Sequence, residues 1–192
     1  MIERALRSLA TVFALLSGAA IAALAAAIVV DVLARRLFGF SLQGTDEYGG
    51  YVLAMIASLG LSQALLQRGH TRVDILVPLL GPRLQAAVNL LALATLLLYA
   101  LFIAGYAYAT WQETIEFDSR ANSPLQTPLW APQMIWVIGT WTFAVTAAWV
   151  LVRAARLAWR EPAAANREYG PLSATQEVRE LARELDQGRR AP

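Results

Sequence analysis

Four stretches of the chain, 8–30, 48–67, 84–112 and 121–152, contain no charged residue at all. Short polar segments between and beside them hold every arginine, aspartate and glutamate of the first 160 residues. About 20 predominantly apolar residues cross a hydrocarbon core of roughly 30 Å as a helix. Each stretch is thus long enough to cross once and too short to cross twice with a turn. The pattern predicts an all-α integral membrane protein with transmembrane helices over about 8–32, 47–67, 84–112 and 130–154. The third stretch would be about 43 Å long as a helix, at about 1.5 Å per residue, so it has to tilt or protrude. The fourth helix is expected to begin near Pro128 or Pro132, since "NSPLQTPLWAPQ" is punctuated by proline, which a first helical turn tolerates best.

The first stretch follows Arg4 and Arg7 and contains Ala23-Leu24-Ala25, so it invites comparison with a signal peptide. A signal h-region runs only about 7 to 15 residues. The longer run favours a span that is retained. It is rich in small residues, among them Gly18, Ala19, Ala22, Ala23 and Ala26. Faces of this kind allow helices in lipid to approach closely, although a general alanine bias would leave the same trace. Trp111, Trp130 and Trp159 fall at the expected membrane–water boundaries.

From Glu161 the material changes. The span region 1–160 gives way to a polar tail, 161–192. Ser173 and Gln176 have the spacing of a capping box, and Val178, Leu181, Ala182 and Leu185 recur at helical intervals before Gly188. A short amphipathic C-terminal helix is expected near 174–187, on the cytoplasmic side.

Charge gives the spans a direction. All basic residues are arginine, and thirteen of them lie in the N-terminus, the 68–83 segment and the stretch from Arg153 to the C-terminal end. The other two connections carry only Arg35, Arg36 and Arg120, against Glu113, Glu116 and Asp118 in the second of them. The positive-inside rule then places both termini in the cytoplasm. Arginines at the ends of apolar runs fit contact with membrane lipid and not with nucleic acid. With no cysteine and a single histidine, the chain offers no disulfide, no thiolate metal site and no bis-imidazole haem site. No cofactor is called for.

Two polar clusters remain as candidate chemistry. In "QALLQRGHTRVDIL" the single histidine, His70, lies four residues before Asp74, with Gly69 and Arg72 between or beside them. A catalytic dyad would need a nucleophile beside it, and none is visible. Gly69, Pro78, Gly81 and Pro82 instead mark a turn-rich connection. In "DVLARRLFGFSLQGTDEYGGYVLAMI", Asp31, Arg35 and Arg36 close the first span while Asp46 and Glu47 open the second. The carboxylates meet the positive end of a helix dipole and have Arg35 or Arg36 within reach as partners; separate solvated charges are the alternative. No phosphate-binding loop, zinc-protease motif or nucleophile elbow is present. The polar residues inside the spans are Gln63, Asn89, Ser58 and Ser62, suited to bonds between helices and poor material for an ion relay.

Taken in order, these clusters resemble the small, four-helix membrane subunit of a TRAP (tripartite ATP-independent periplasmic) transporter, of the dicarboxylate-transporter type. The resemblance runs from about Leu9 to Arg156 and is strongest between Asp31 and Leu76. It is carried by Arg35 or Arg36 with Phe38, by Asp46 and Glu47, by Gly60, and by the sequence Gly69, His70, Arg72, Val73, Asp74. The chain departs from the family in having Gly44 and Thr45 where many members place a tryptophan. The resemblance implies an accessory, non-enzymatic subunit of the bacterial inner membrane. Its implied partners are a large membrane subunit that moves an organic acid with sodium, and an extracytoplasmic substrate-binding protein. A self-sufficient homo-oligomeric channel or small carrier is the alternative reading, and a membrane enzyme built on His70 and Asp74 comes last.

Overall fold

A computed structural model describes residues 2–41, 44–68, 77 and 80–170. Its helices are α1 (Ile2–Phe38), α2 (Thr45–Leu66), α3 (Pro82–Glu116), α4 (Trp130–Arg160) and α5 (Pro162–Tyr169). The first four are long and apolar enough to cross a membrane. Among the described residues there is no strand, only an isolated bridge between Arg120 and Pro128. The fold is therefore all-α with four membrane-length helices and a short C-terminal helix. The helix expected near 174–187 lies outside the described residues.

Local chemistry accounts for the helix ends. Helix α1 stops at Gly39, whose φ of 72° is the left-handed conformation that closes helices and that glycine adopts without strain. Arg35 and Arg36 occupy its last turn, where positive charge offsets the helix dipole. Helix α3 opens on Pro82, whose missing N–H costs nothing in a first turn. Helix α4 opens at Trp130, between the two prolines expected to mark its start, with Pro132 inside the first turn.

Packing divides the described residues into two compact units, one drawn from 1–67 and 95–149, the other from 68–94 and 150–192. In the first, α1 packs along α2. Its buried residues Ala10, Ser17, Asp31 and Ala34 follow a nearly heptad rhythm, so a narrow seam makes the contact. The small residues Gly18, Ala19, Ala22, Ala23 and Ala26 face outward and are not part of it. Helices α2 and α4 approach closely at Gly139, where a Cβ would stand 2.7 Å from the Ser58 Cβ and 2.9 Å from its backbone carbonyl carbon.

The distribution of residue sizes is the reverse of that in a water-soluble domain. Alanine predominates among the buried apolar positions, including Ala100, Ala104, Ala107, Ala144 and Ala147. The large side chains of Leu15, Ile28, Leu53, Leu98 and Phe102 point outward. In lipid there is no hydrophobic penalty for that exposure, and small interior residues let backbones come together. Several buried hydroxyls are satisfied by their own helices: Ser58 Oγ donates to the carbonyl of Ala54 at 2.9 Å, and Thr146 Oγ1 to that of Thr142 at 2.8 Å. Of the four polar residues singled out inside the spans, Ser58 thus bonds within its own helix, not between helices.

Candidate functional site

The first cluster sits where α1 turns into α2. Asp31 is buried and accepts a 2.5 Å hydrogen bond from Arg35, one helical turn later. Ser41 Oγ donates to the other Asp31 oxygen at 2.9 Å and accepts from Arg35 at 3.2 Å. The three side chains fold the chain leaving α1 back over its last turn. Arg35 therefore pairs with Asp31 and not with Asp46 or Glu47. Arg36 and Asp46 are exposed, and Phe38 is exposed with its ring 6.4 Å from that of Phe40.

Glu47 is held by different partners. Its carboxylate accepts hydrogen bonds from Tyr51, at 2.7 Å, and from Ser123, while Thr127 supplies further bonds. Ser123 and Thr127 belong to the connection between α3 and α4, which satisfies much of its own backbone. Ala121 N donates to the Thr127 carbonyl at 2.9 Å and Leu129 N to that of Ser119 at 3.1 Å. Trp111 closes the same region by donating its indole N–H to the Trp130 carbonyl at 3.1 Å. Gly44, with φ of 95°, precedes α2, and a Cβ there would collide with the Leu125 side chain of this connection. The space that a tryptophan would need just before Asp46 is thus partly occupied from the other side.

Replacing Glu47 with alanine is expected to loosen this connection without unfolding the helices. Trypsin should then cut after Arg120 several-fold faster than in the parent chain, while helix content by circular dichroism stays unchanged. An unchanged cleavage rate would mean that Glu47 does not hold the segment.

In the second unit, Asn166 is the hub. Its side-chain amide donates to the Pro82 carbonyl at 2.9 Å and to Gln85 at 3.1 Å, and its oxygen accepts from Asn89 at 3.1 Å. Arg68 adds a bond to the Arg167 carbonyl at 2.9 Å. The Asn166 contacts fasten α5 to the first turns of α3, and the Arg68 bond ties it to the segment just past the end of α2. Partial burial, and then the Glu168 carboxylate, raise the Tyr169 hydroxyl above its ordinary pKa. The hollow lined by Ala86, Asn89, Leu93, Ala154 and Asn166 has little more than water-sized room.

Of the sequence motif residues, Gly69, His70, Arg72, Val73 and Asp74 lie outside the described residues. Gly60 lies in α2 with open space where a Cβ would be. Sequence reasoning did not assign roles to Ser41, Ser123, Thr127 or Asn166. The Asp31–Arg35 pair had a readable signal in its i, i+4 spacing. Tyr51 is an i, i+4 partner of Glu47, but Ser123 and the partners of Asn166 lie some 76 to 84 residues away and leave no local pattern.

No group of three or more histidine, cysteine, aspartate or glutamate residues able to hold a metal occurs among the described residues. Four membrane-length helices with small residues inside and large apolar ones outside define a polytopic membrane protein. A protein-family model described as "Tripartite ATP-independent periplasmic transporters, DctQ component" matches residues 24–158. The chain belongs to that family and is a small membrane component of a TRAP transporter, a transporter part and not an enzyme. No curated protein matches it.

Proposed function

We propose that this chain is a scaffold that packs against the large membrane subunit of a sodium-coupled TRAP transporter and helps hold it in the bacterial inner membrane. The assembled complex imports an organic acid delivered by an extracytoplasmic binding protein, and both termini of this chain face the cytoplasm. The observation that carries the reading is the state of α1. In its most apolar window only 6% of residues are buried, against 39% for α4. An α1 face built of Gly18, Ala19, Ala22, Ala23 and Ala26 lies outside the seam with α2 and suits close approach by another helix. The arginine distribution supports the orientation.

A mild-detergent pull-down of the tagged chain from native membranes tests the reading. A near-stoichiometric, large, many-span partner is expected, and Arg36→Ala or Asp46→Ala should lower its recovery more than Arg167→Ala. The purified chain alone should not transport substrate into liposomes. A pure homo-oligomer that is stable across detergents, or transport by the chain alone, would overturn the scaffold reading.

A further inference from the structure

The last turns of α4 carry a basic face that the scaffold role does not use. Arg153, Arg156 and Arg160 are spaced i, i+3, i+7 and so share one side of the helix. Ala154 and Ala158 point the other way, Ala154 being buried. Arg153 has Glu168 at 3.9 Å. Arg156 and Arg160 are exposed, and no carboxylate among the described residues pairs with either, the neighbouring Glu161 included. Trp159 beside them is 91% exposed, the most exposed of the large apolar side chains among the described residues. Two turns earlier Val152 is exposed too.

This order of side chains matches the depth profile of one bilayer leaflet. Val152 lies at acyl-chain depth, Trp159 has the amphipathic ring that settles among headgroups, and Arg156 and Arg160 reach the phosphates. A guanidinium presents a planar fork of donors that fits two phosphate oxygens. Two such forks one turn apart, with no carboxylate among the described residues paired with them, favour a headgroup that carries no compensating ammonium.

We infer that Arg156, Arg160 and Trp159 form a binding site for the headgroup of a net-anionic phospholipid such as phosphatidylglycerol. Arginine near a helix C-terminus also complements the helix dipole. That role alone would give no preference between lipids, so lipid selectivity separates the two. The inference needs only that α4 crosses a membrane and is independent of the large subunit.

The test uses the full chain in phosphatidylcholine vesicles doped with equal small fractions of brominated phosphatidylglycerol or brominated phosphatidylcholine. Bromine quenches nearby tryptophan, and the Trp159 contribution is the difference between the parent and Trp159→Phe. Half-maximal quenching of that contribution is expected at a clearly lower fraction of the anionic lipid, with each arginine worth about fivefold. Arg160→Gln should reduce the preference by about that factor, and Arg156→Gln with Arg160→Gln should remove it. If the double variant does not reconstitute, the single Arg160→Gln comparison still decides. Equal quenching by the two lipids in the parent chain overturns the inference, as does a preference that survives loss of both arginines.

Discussion

Gly139→Leu is expected to separate α2 from α4 and leave a chain that aggregates on extraction into mild detergent. The physical reason is visible with alanine alone. A single added Cβ would meet the Ser58 Cβ and Oγ at 2.7 Å and its backbone carbonyl carbon at 2.9 Å. The nearest side-chain atoms belong to a short residue with no flexible end to swing away, and the third is main chain. Overpacking of this kind costs about 1–3 kcal/mol, more than the roughly 0.5–1 kcal/mol that alanine gains over glycine inside a helix. Gly139→Ala should therefore melt below the parent in detergent, and leucine, with three further carbons, well below alanine. Gly60→Ala and Gly105→Ala are the controls, because nothing lies within 4 Å of a Cβ at either position. They should melt at or slightly above the parent. Ser58→Gly ought to rescue part of the Gly139→Ala loss by removing the two closest atoms, an interaction that a double-mutant cycle measures. A Gly139→Ala chain as stable as Gly105→Ala would show that the helices can part there at little cost.

Asn166→Ala is expected to release α5. The helix has eight residues, too few for stability of its own, so it persists only through what it touches. Removing the Asn166 amide leaves the buried Asn89 side chain and the Pro82 carbonyl without this partner. Of the two, Asn89 is buried, and the lost partner of a buried polar group costs about 1–3 kcal/mol. At about 2 kcal/mol in all, amide hydrogen exchange over 162–169 should accelerate by roughly thirtyfold. Exchange in the middle of α3 should not change. Glu168→Gln should have little effect, because its 3.9 Å ion pair with Arg153 joins two exposed groups and such pairs contribute at most about 1 kcal/mol. Exchange in α5 that Glu168→Gln accelerates as much as Asn166→Ala would remove Asn166 from its central place.

The membrane-length helices were legible because the apolar runs are long and the charges cluster between them. Their ends were less so. Helix α1 continues through Asp31, Arg35 and Arg36 to Phe38, since these residues are compatible with a helix and their i, i+4 pairing supports one. Hydropathy stops earlier because it records where water begins, not where the helix ends. Helix α5 escaped notice since eight residues give too short a periodic signal. For the first candidate cluster, the pairing considered from the sequence, Arg35 or Arg36 with Asp46 or Glu47, is not the one Arg35 makes. Asp31 rather than Asp46 takes Arg35, because the helix brings i and i+4 together whatever the following loop does. Glu47 turned to Ser123, a contact set by how the α3–α4 connection lies against α2.

The clasp of Asp31, Arg35 and Ser41 has a consequence for the depth at which α1 sits. A helix of 37 residues is about 55 Å long, far more than the hydrocarbon thickness of roughly 30 Å. Its apolar surface alone sets no fixed position, because sliding by one turn exchanges one stretch of alanine and valine for another. Asp31 and Arg35, tied to the loop by Ser41, resist being drawn into the hydrocarbon and act as a stop on one side. Arg4 and Arg7 oppose motion the other way. The polar ends thus fix the vertical register of the span, and with it which small residues stand at mid-membrane.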